Sequence, residues 1–274
     1  MYDFYFGTKS EIDNNKRDWL LFIKRMLPRW CNSIPDSEYE AISEILSSHC
    51  NKDKPVLVET GCGASTIAML NYVLENDGVL FTWDTNSLKA SHIRSVCMET
   101  LGRHYSKKNL WNHWKFIGYS SCCPYAGLSI LKELNHVVDF CFLDSEHTLQ
   151  VLSKEVSALA GVLKEKSIVA IDDANYNYRT FNEAYINMTR TKLGLKKITD
   201  FGSENLGSSF ADEVFKQLNS LHLKCKKIEN NFASNVTKDI FFDYFKGDRK
   251  SMNKIGMEKM EELTNRFEAW KIIK

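Results

Sequence analysis

The pattern of apolar and polar residues changes near residue 55 of this 274-residue chain. Before that point, apolar side chains recur at helical spacing from Trp19 to Trp30 and again from Tyr39 to Leu46. Pro28 interrupts the first of these patterns and indicates a break or kink in the helix. Residues 1–50 are therefore predicted to form a helical N-terminal extension.

From residue 55 to about residue 171, short apolar runs alternate with longer amphipathic segments. Runs such as VVDFCFL (137–143) and SIVAI (167–171) place apolar residues in successive positions. Such runs are typical of strands buried on both faces, as in parallel sheets. The alternation therefore predicts a doubly wound α/β fold. The predicted strands are 56–59, 79–83, 114–119, 137–143 and 168–171, and the predicted helices are 65–74, 87–101, 125–134 and 149–163.

The last hundred residues are less regular. A helix is predicted over 210–221, a strand over 239–245, a helix over 251–263 and a final strand over 266–272. The two late strands can complete the sheet, with one of them antiparallel. No repeat or low-complexity linker divides this part of the chain, so residues 51–274 are predicted to form one domain after the extension.

The sequence VLVETGCGAST (56–66) runs from the first predicted strand into a turn with two glycines. Gly61 and Gly63 allow the backbone to turn sharply and to approach a ligand closely. A dinucleotide site would have a third glycine where this chain has Thr66. The carboxylate of Glu59 would repel a diphosphate but attract a ligand amine. S-adenosylmethionine has an ammonium and a sulfonium group and no phosphate, so the turn favours that cofactor.

The second predicted strand ends in an acid. Asp84 follows the sequence FTW and lies 21 residues after Gly63. An acid about 20 residues after a glycine turn commonly binds ribose hydroxyls, and both of its oxygens can accept hydrogen bonds from a diol. A pair of turn glycines without any ligand is the alternative explanation for the turn alone. The turn together with Asp84 predicts a nucleoside site.

Acids also follow the fourth and fifth predicted strands, in FLDSEH (142–147) and AIDDAN (170–175). Because neighbouring parallel strands end at the same crevice, Asp144, Asp172 and Asp173 are expected to lie close together. Three converging carboxylates are typical of a divalent metal site, and all-oxygen ligation favours Mg²⁺ or a similar ion. The alternative for Asp144 is that it caps the helix that follows.

His147 lies three residues after Asp144, near the start of the same helix. In that position it can act as a general base that takes a proton from an acceptor hydroxyl. Glu146 is the alternative base. A purely structural hydrogen-bonding role for His147 is the competing interpretation.

The motifs ETGCGAST and DSEH…IDD resemble those of class I S-adenosylmethionine-dependent methyltransferases, in particular the branch that includes the macrocin and mycinamicin sugar O-methyltransferases. The resemblance covers about residues 35–175, and Ser145 stands where family members often have glycine. It implies a mostly parallel seven-stranded sheet, with Asp144, Asp172 and Asp173 binding Mg²⁺ and His147 as the base. The implied cofactor-binding residues are Glu59, Gly61, Cys62, Gly63, Ser65, Thr66, Asp84, Ser121 and Asp144.

Composition limits the kinds of partner. The chain is 43% hydrophobic and 26% charged, and its formal net charge is +1. This balance gives no electrostatic reason to expect nucleic acid or an anionic membrane as a partner. No apolar run approaches the ~20 residues that span a bilayer. The N-terminus lacks a secretory signal pattern. We expect a cytoplasmic protein whose partner is a small-molecule acceptor; the oligomeric state stays open, since the exposed face of the N-terminal helices could pair.

The sequence therefore predicts a divalent-metal-assisted O-methyltransferase that acts on a small hydroxylated acceptor, such as a sugar or a natural product. One alternative is a metal-independent methyltransferase with a nitrogen acceptor. The other is a nucleoside-binding protein without chemistry. An NAD-dependent dehydrogenase is disfavoured by Glu59 and Thr66, which do not fit a pyrophosphate-binding turn.

Overall fold

A computed structural model describes residues 7–106, 108–146, 148–174, 187–199, 209–229 and 267–273. Its centre is one seven-stranded sheet with the strand order β3-β2-β1-β4-β5-β7-β6. The strands are β1 (Val56–Thr60), β2 (Val79–Trp83), β3 (Trp114–Ile117), β4 (Val138–Leu143), β5 (Leu163–Ile171), β6 (Cys225–Lys227) and β7 (Glu268–Ile272).

Helices connect and cover these strands. A 3₁₀ turn lies at Arg29–Cys31 and a π-helical turn at Met98–Gly102. The α-helices that lie wholly within the described residues are α1 (Lys9–Asn14), α2 (Lys16–Met26), α3 (Asp36–His49), α4 (Ala64–Glu75), α5 (Ser87–Cys97), α6 (Leu110–His113), α7 (Ile130–Glu133), α8 (Leu149–Ala160) and α9 (Phe210–Ser220).

Strands β1 to β5 run parallel, and β7 is antiparallel to both β5 and β6. This topology confirms the predicted doubly wound, mostly parallel seven-stranded sheet. Thr60 at the end of β1 is in register with Trp83 of β2 on one side and with Leu143 of β4 on the other. The loops that follow these three strands therefore begin side by side at one edge of the sheet.

Successive side chains of each central strand enter different cores, because side chains alternate between the two faces of a strand. On β1, Leu57 packs in a core with α4 and the N-terminal helices, whereas Val58 packs in a core with α8 and α9. Both side chains are fully buried. The sheet is thus covered on both faces, as its continuous apolar strands predicted.

The N-terminal extension packs on the α4 face of the sheet and holds a buried ion pair. The ammonium of Lys24, a side chain with 0% exposure, lies 2.9 Å from Asp36 Oδ1. The Arg25 guanidinium lies 2.8 Å from the second oxygen of the same carboxylate. Asp36 therefore joins the end of α2 to the start of α3.

Most predicted strands lie within a few residues of their observed limits, and two differences are informative. Strand β5 begins five residues earlier than predicted, because its polar start (Leu163–Ser167) gave no apolar signal. Strand β6, only three residues long, was missed. The predicted strand 239–245 and helix 251–263 lie outside the described residues. Among the helices within the described ranges, none combines the length and apolar character needed to cross a membrane.

Candidate cofactor site

The turn after β1 brings two loops into direct contact. Gly61 has φ +96°, a conformation that L side chains rarely adopt. Its N–H donates a 2.8 Å hydrogen bond to the carbonyl of Trp83. A Cβ atom at Gly61 would lie only 2.0 Å from the carbonyl oxygen of Asp144. Glycine is therefore required here both for backbone conformation and for space.

The Asp84 carboxylate is held in place by backbone N–H groups of two loops. Asp84 Oδ2 accepts a 2.8 Å hydrogen bond from the N–H of Cys62, and Oδ1 accepts a 2.7 Å bond from the N–H of Asn86. The Lys89 ammonium lies 3.8 Å from Oδ2. Each carboxylate oxygen keeps further acceptor capacity, so Asp84 can accept hydrogen bonds from a ligand diol without losing its anchors.

A cleft of about 290 Å³ lies above this carboxylate, at the carboxyl ends of β1, β2 and β4. Ligands of open α/β sheets bind in this crevice. Its lining residues are Trp30, Gly61, Trp83, Asp84, Thr85, Asn86, Lys89, Tyr119, Ser120, Ser121, Asp144, Ser145, Glu146 and Val151.

Four of the predicted cofactor residues line the cleft: Gly61, Asp84, Ser121 and Asp144. The sequence motifs had not indicated Trp30, Lys89 or Tyr119. Trp30 comes from the N-terminal extension, and the other two lie in segments without a recognisable motif. Only the folded chain brings these side chains to the glycine turn.

Glu59 does not line the cleft. Its carboxylate is fully buried and accepts hydrogen bonds from the hydroxyls of Ser65, Thr66 (2.7 Å) and Thr82 (3.1 Å). Burial raises the pKa of Glu59 to about 7, although these hydroxyls and the Lys89 ammonium act in the opposite direction. The carboxylate therefore fastens the start of α4 to β1 and β2 beneath the turn.

The predicted contact of Glu59 with the cofactor amine stays a prediction. Four other predicted cofactor residues, Cys62, Gly63, Ser65 and Thr66, are also buried and are not among the residues that line the cleft. Thr66 accepts a 2.9 Å hydrogen bond from the N–H of Gly63. These residues shape the turn that supports the cofactor site.

A second buried carboxylate supports the opposite wall of the cleft. Glu155 of α8 is 1% exposed and accepts a hydrogen bond from the Ser121 hydroxyl. Burial raises the pKa of Glu155, while the hydroxyls of Ser121, Ser145 and Thr60 lower it. Glu155 thus connects α8 to the loop after β3, a role that no local motif could reveal.

The three predicted metal ligands have different surroundings. Asp144 lines the cleft, and its N–H donates a 2.9 Å hydrogen bond to the Thr60 carbonyl. Asp172 and Asp173 are both 7% exposed, and the N–H of Asp173 donates a 2.7 Å bond to Asp172 Oδ1. In the described part of the chain, no group of three or more His, Cys, Asp or Glu side chains could hold a metal ion. The predicted convergence of the three carboxylates is therefore not found.

The start of α8 shows which residue caps this helix. Thr148 is the N-cap of this helix, and its hydroxyl accepts a 3.3 Å hydrogen bond from the N–H of Val151. Asp144 is therefore not the capping residue, and its carboxylate remains at the cleft. His147 lies outside the described residues, so its role as a base stays a prediction.

One family model and several solved structures are similar to this chain. Residues 58–174 match the family model of a methyltransferase domain. No curated protein matched the chain significantly. An O-methyltransferase family protein from Burkholderia thailandensis is similar with 9% identity and a TM-score of 0.47, covering 86% of this chain and 55% of that one. The chain thus spans about half the length of that protein.

Two further solved structures are similar at the same level. An O-methyltransferase from Bacillus cereus has 9% identity and a TM-score of 0.44, covering 83% of this chain and 92% of that one. A TDP-rhamnose 3'-O-methyltransferase of calicheamicin biosynthesis has 14% identity and a TM-score of 0.44, covering 66% of this chain and 77% of that one. The family match includes the glycine turn, Asp84 and the acids after β4 and β5, so residues 58–174 are similar to a methyltransferase domain.

Proposed function

We propose that the protein transfers a methyl group from S-adenosylmethionine to a hydroxyl oxygen of a small hydroxylated acceptor, such as a sugar or a natural product. The observation that carries this proposal is the position of Asp84. Its carboxylate stands in the cleft beside a glycine turn, between the N–H groups of Cys62 and Asn86. A carboxylate in this position can bind ribose hydroxyls. The neighbouring turn lacks the third glycine of a pyrophosphate-binding site.

The charges that line the cleft support a cationic cofactor. Asp84, Asp144 and Glu146 contribute three carboxylates, and Lys89 contributes one ammonium. An excess of negative charge in a concave site attracts cations and repels phosphates. The sulfonium and the ammonium of S-adenosylmethionine match that excess, and the hydroxyls of Ser120 and Ser121 offer hydrogen-bonding groups for the adenine edge.

The reaction is an in-line displacement. The acceptor oxygen forms a bond to the methyl carbon while the bond from that carbon to sulfur breaks, and the electron pair remains on sulfur to give S-adenosylhomocysteine. The hydroxyl proton passes to a base, for which we propose His147, with Glu146 of the cleft as the alternative. The main task of the cleft is to hold the two reactants in line, because positioning contributes much of the rate in such a transfer.

Magnesium, which the sequence resemblance implies, enters none of these steps. Its all-oxygen donor set of Asp144, Asp172 and Asp173 has suitable chemistry, but the described side chains do not gather around one ion. Chelation by EDTA separates the two possibilities. If EDTA abolishes methyl transfer and added Mg²⁺ restores it, these carboxylates bind a metal ion that the reaction requires. If EDTA has no effect, the protein positions the reactants without a metal.

The proposal is tested in two steps. Calorimetric titration with S-adenosylhomocysteine should show binding to one site per chain. Labelled S-adenosylmethionine should then transfer its methyl group to members of a panel of sugars, phenols and glycosides, with amines as the comparison set. Binding without transfer to any hydroxyl, or transfer to amines alone, would overturn the assignment as an O-methyltransferase.

A further inference from the structure

The N-terminal extension reaches the cofactor cleft through one turn. The 3₁₀ turn at Arg29–Cys31 lies against the glycine turn after β1, since a Cβ atom at Gly63 would be 3.3 Å from the carbonyl oxygen of Cys31. Cys31 is fully buried, and its thiol donates a 3.4 Å hydrogen bond to the Pro28 carbonyl. The side-chain amide of Asn32, also buried, donates a 2.7 Å bond to the Lys24 carbonyl. The backbone of this turn is therefore firmly anchored.

Trp30, at the centre of this anchored turn, has an unusual environment for its side chain. It is 53% exposed, although Leu27, Cys31 and Asn32 around it are all buried. Its ring centroid lies 5.3 Å from that of His92 on α5, at an interplanar angle of 49°. One side of the indole is thus supported, and Trp30 is among the residues that line the cleft, together with Asp84 and Lys89.

We propose that Trp30 covers the nucleoside of the bound cofactor. This inference rests on the proposed function. A large aromatic side chain that stays half exposed on a rigid support gains apolar contact when a ligand fills the space beside it. The nucleoside is the part of the cofactor nearest to Asp84, which shares the cleft with Trp30. The cofactor site would then extend beyond the matched domain at 58–174 and include a residue of the N-terminal extension.

The contact predicts a measurable loss of affinity. Truncation of an aromatic anchor at a binding site typically weakens binding by roughly 10- to 100-fold. Trp30→Ala should weaken S-adenosylhomocysteine binding to that extent, and Trp30→Phe should retain most of the affinity, because phenylalanine keeps an aromatic face. Free adenosine should show the same loss as S-adenosylhomocysteine, since both contain the nucleoside.

Trp111 provides a matched control. It is 37% exposed and packs over the Arg94 guanidinium at 3.9 Å, and it is not among the residues that line the cleft. Trp111→Ala should bind both ligands as tightly as the wild type does. Calorimetry supplies the affinities, and thermal denaturation of the unliganded variants shows whether each is folded.

The outcomes are distinguishable. Wild-type affinity in Trp30→Ala, or an equal loss in Trp111→Ala, would overturn the role of Trp30 and leave the proposed function intact. If Trp30→Ala is poorly folded, Trp30→Phe and Trp30→Leu replace it, and affinity that does not depend on the side chain at position 30 would overturn the proposal in the same way. Failure of the wild type to bind S-adenosylhomocysteine would overturn the proposed function and this inference together.

Discussion

Gly61 and Asp144 meet so closely that no side chain fits between them: a methyl group on Gly61 would lie 2.0 Å from the Asp144 carbonyl oxygen. Because this contact is with backbone, neither partner can move aside without shifting the end of β1 or β4. The residue pair fixes the distance between two loops that line the cofactor cleft. It also makes the glycine turn sensitive to the smallest possible substitution.

Gly61→Ala should therefore lower the free energy of unfolding by about 2–5 kcal/mol, from the strained φ angle and the overlap together. Gly161→Ala is the control, because its φ is −77° and its added Cβ would meet only a Lys132 side-chain carbon at 3.7 Å. Denaturant titration measures the free energy of unfolding of both variants. Equal stability of the two variants would contradict the tight contact at Gly61.

Asp84→Ala should weaken S-adenosylhomocysteine binding by removing charge-assisted hydrogen bonds to the ribose, each of which contributes about 1.5–3 kcal/mol. Asp53→Ala removes an exposed carboxylate before β1, at the other end of that strand, and should bind as the wild type does. Calorimetric titration compares the two. Unchanged affinity in the Asp84 variant would show that another residue binds the ribose.

Glu59 should make stability depend on pH. Its pKa rises from 4.5 to about 7 on folding, mainly through burial. The folded state therefore binds more protons than the unfolded state across this interval, and stability falls as the pH rises through it. Relative to Glu59→Gln, the wild type should lose about 2–3 kcal/mol between pH 4.5 and pH 7. Parallel curves of stability against pH for the two proteins would argue against the raised pKa.

Asp36→Ala should lower the free energy of unfolding by about 3–5 kcal/mol, because it removes the carboxylate from a buried ion pair. Burial already lowers the pKa of Lys24, and Asp36 is the largest influence that opposes this shift. Glu99→Ala is the control, since Glu99 and its partner Arg103 are both exposed. This substitution should lower the free energy of unfolding by less than about 1 kcal/mol. Urea unfolding of both variants gives the comparison.

His147→Ala should lower kcat by about 10²- to 10⁴-fold, the usual range for the loss of a general base. Cofactor affinity should stay unchanged, because the residue is proposed to act on the acceptor. Glu146→Gln separates the two candidate bases. Normal turnover in the His147 variant together with a large loss in the Glu146 variant would reverse the assignment.

The sequence predicted those parts of the site that depend on local signals. Asp84 was found because the end of a strand and the spacing from Gly63 are both visible in the sequence. The burial of Glu59 was not predicted, although the alternation of side chains on a strand places it on the face of Leu57, away from Val58. Trp30 and Glu155 could not be found, because only tertiary packing brings Trp30 to the cleft and Glu155 to Ser121 behind the cleft wall.

Strand β7 lies between β5 and β6, although it follows both of them in the chain. During synthesis on the ribosome, β5 therefore has β4 on one side and an open edge on the other until residues 268–272 emerge. Open apolar edges are templates for intermolecular pairing, and Val169 and Ile171 lie along this one. A chain that stops between β5 and β7 would present that edge permanently, so such truncated products should aggregate even when all residues that line the cleft have already been translated.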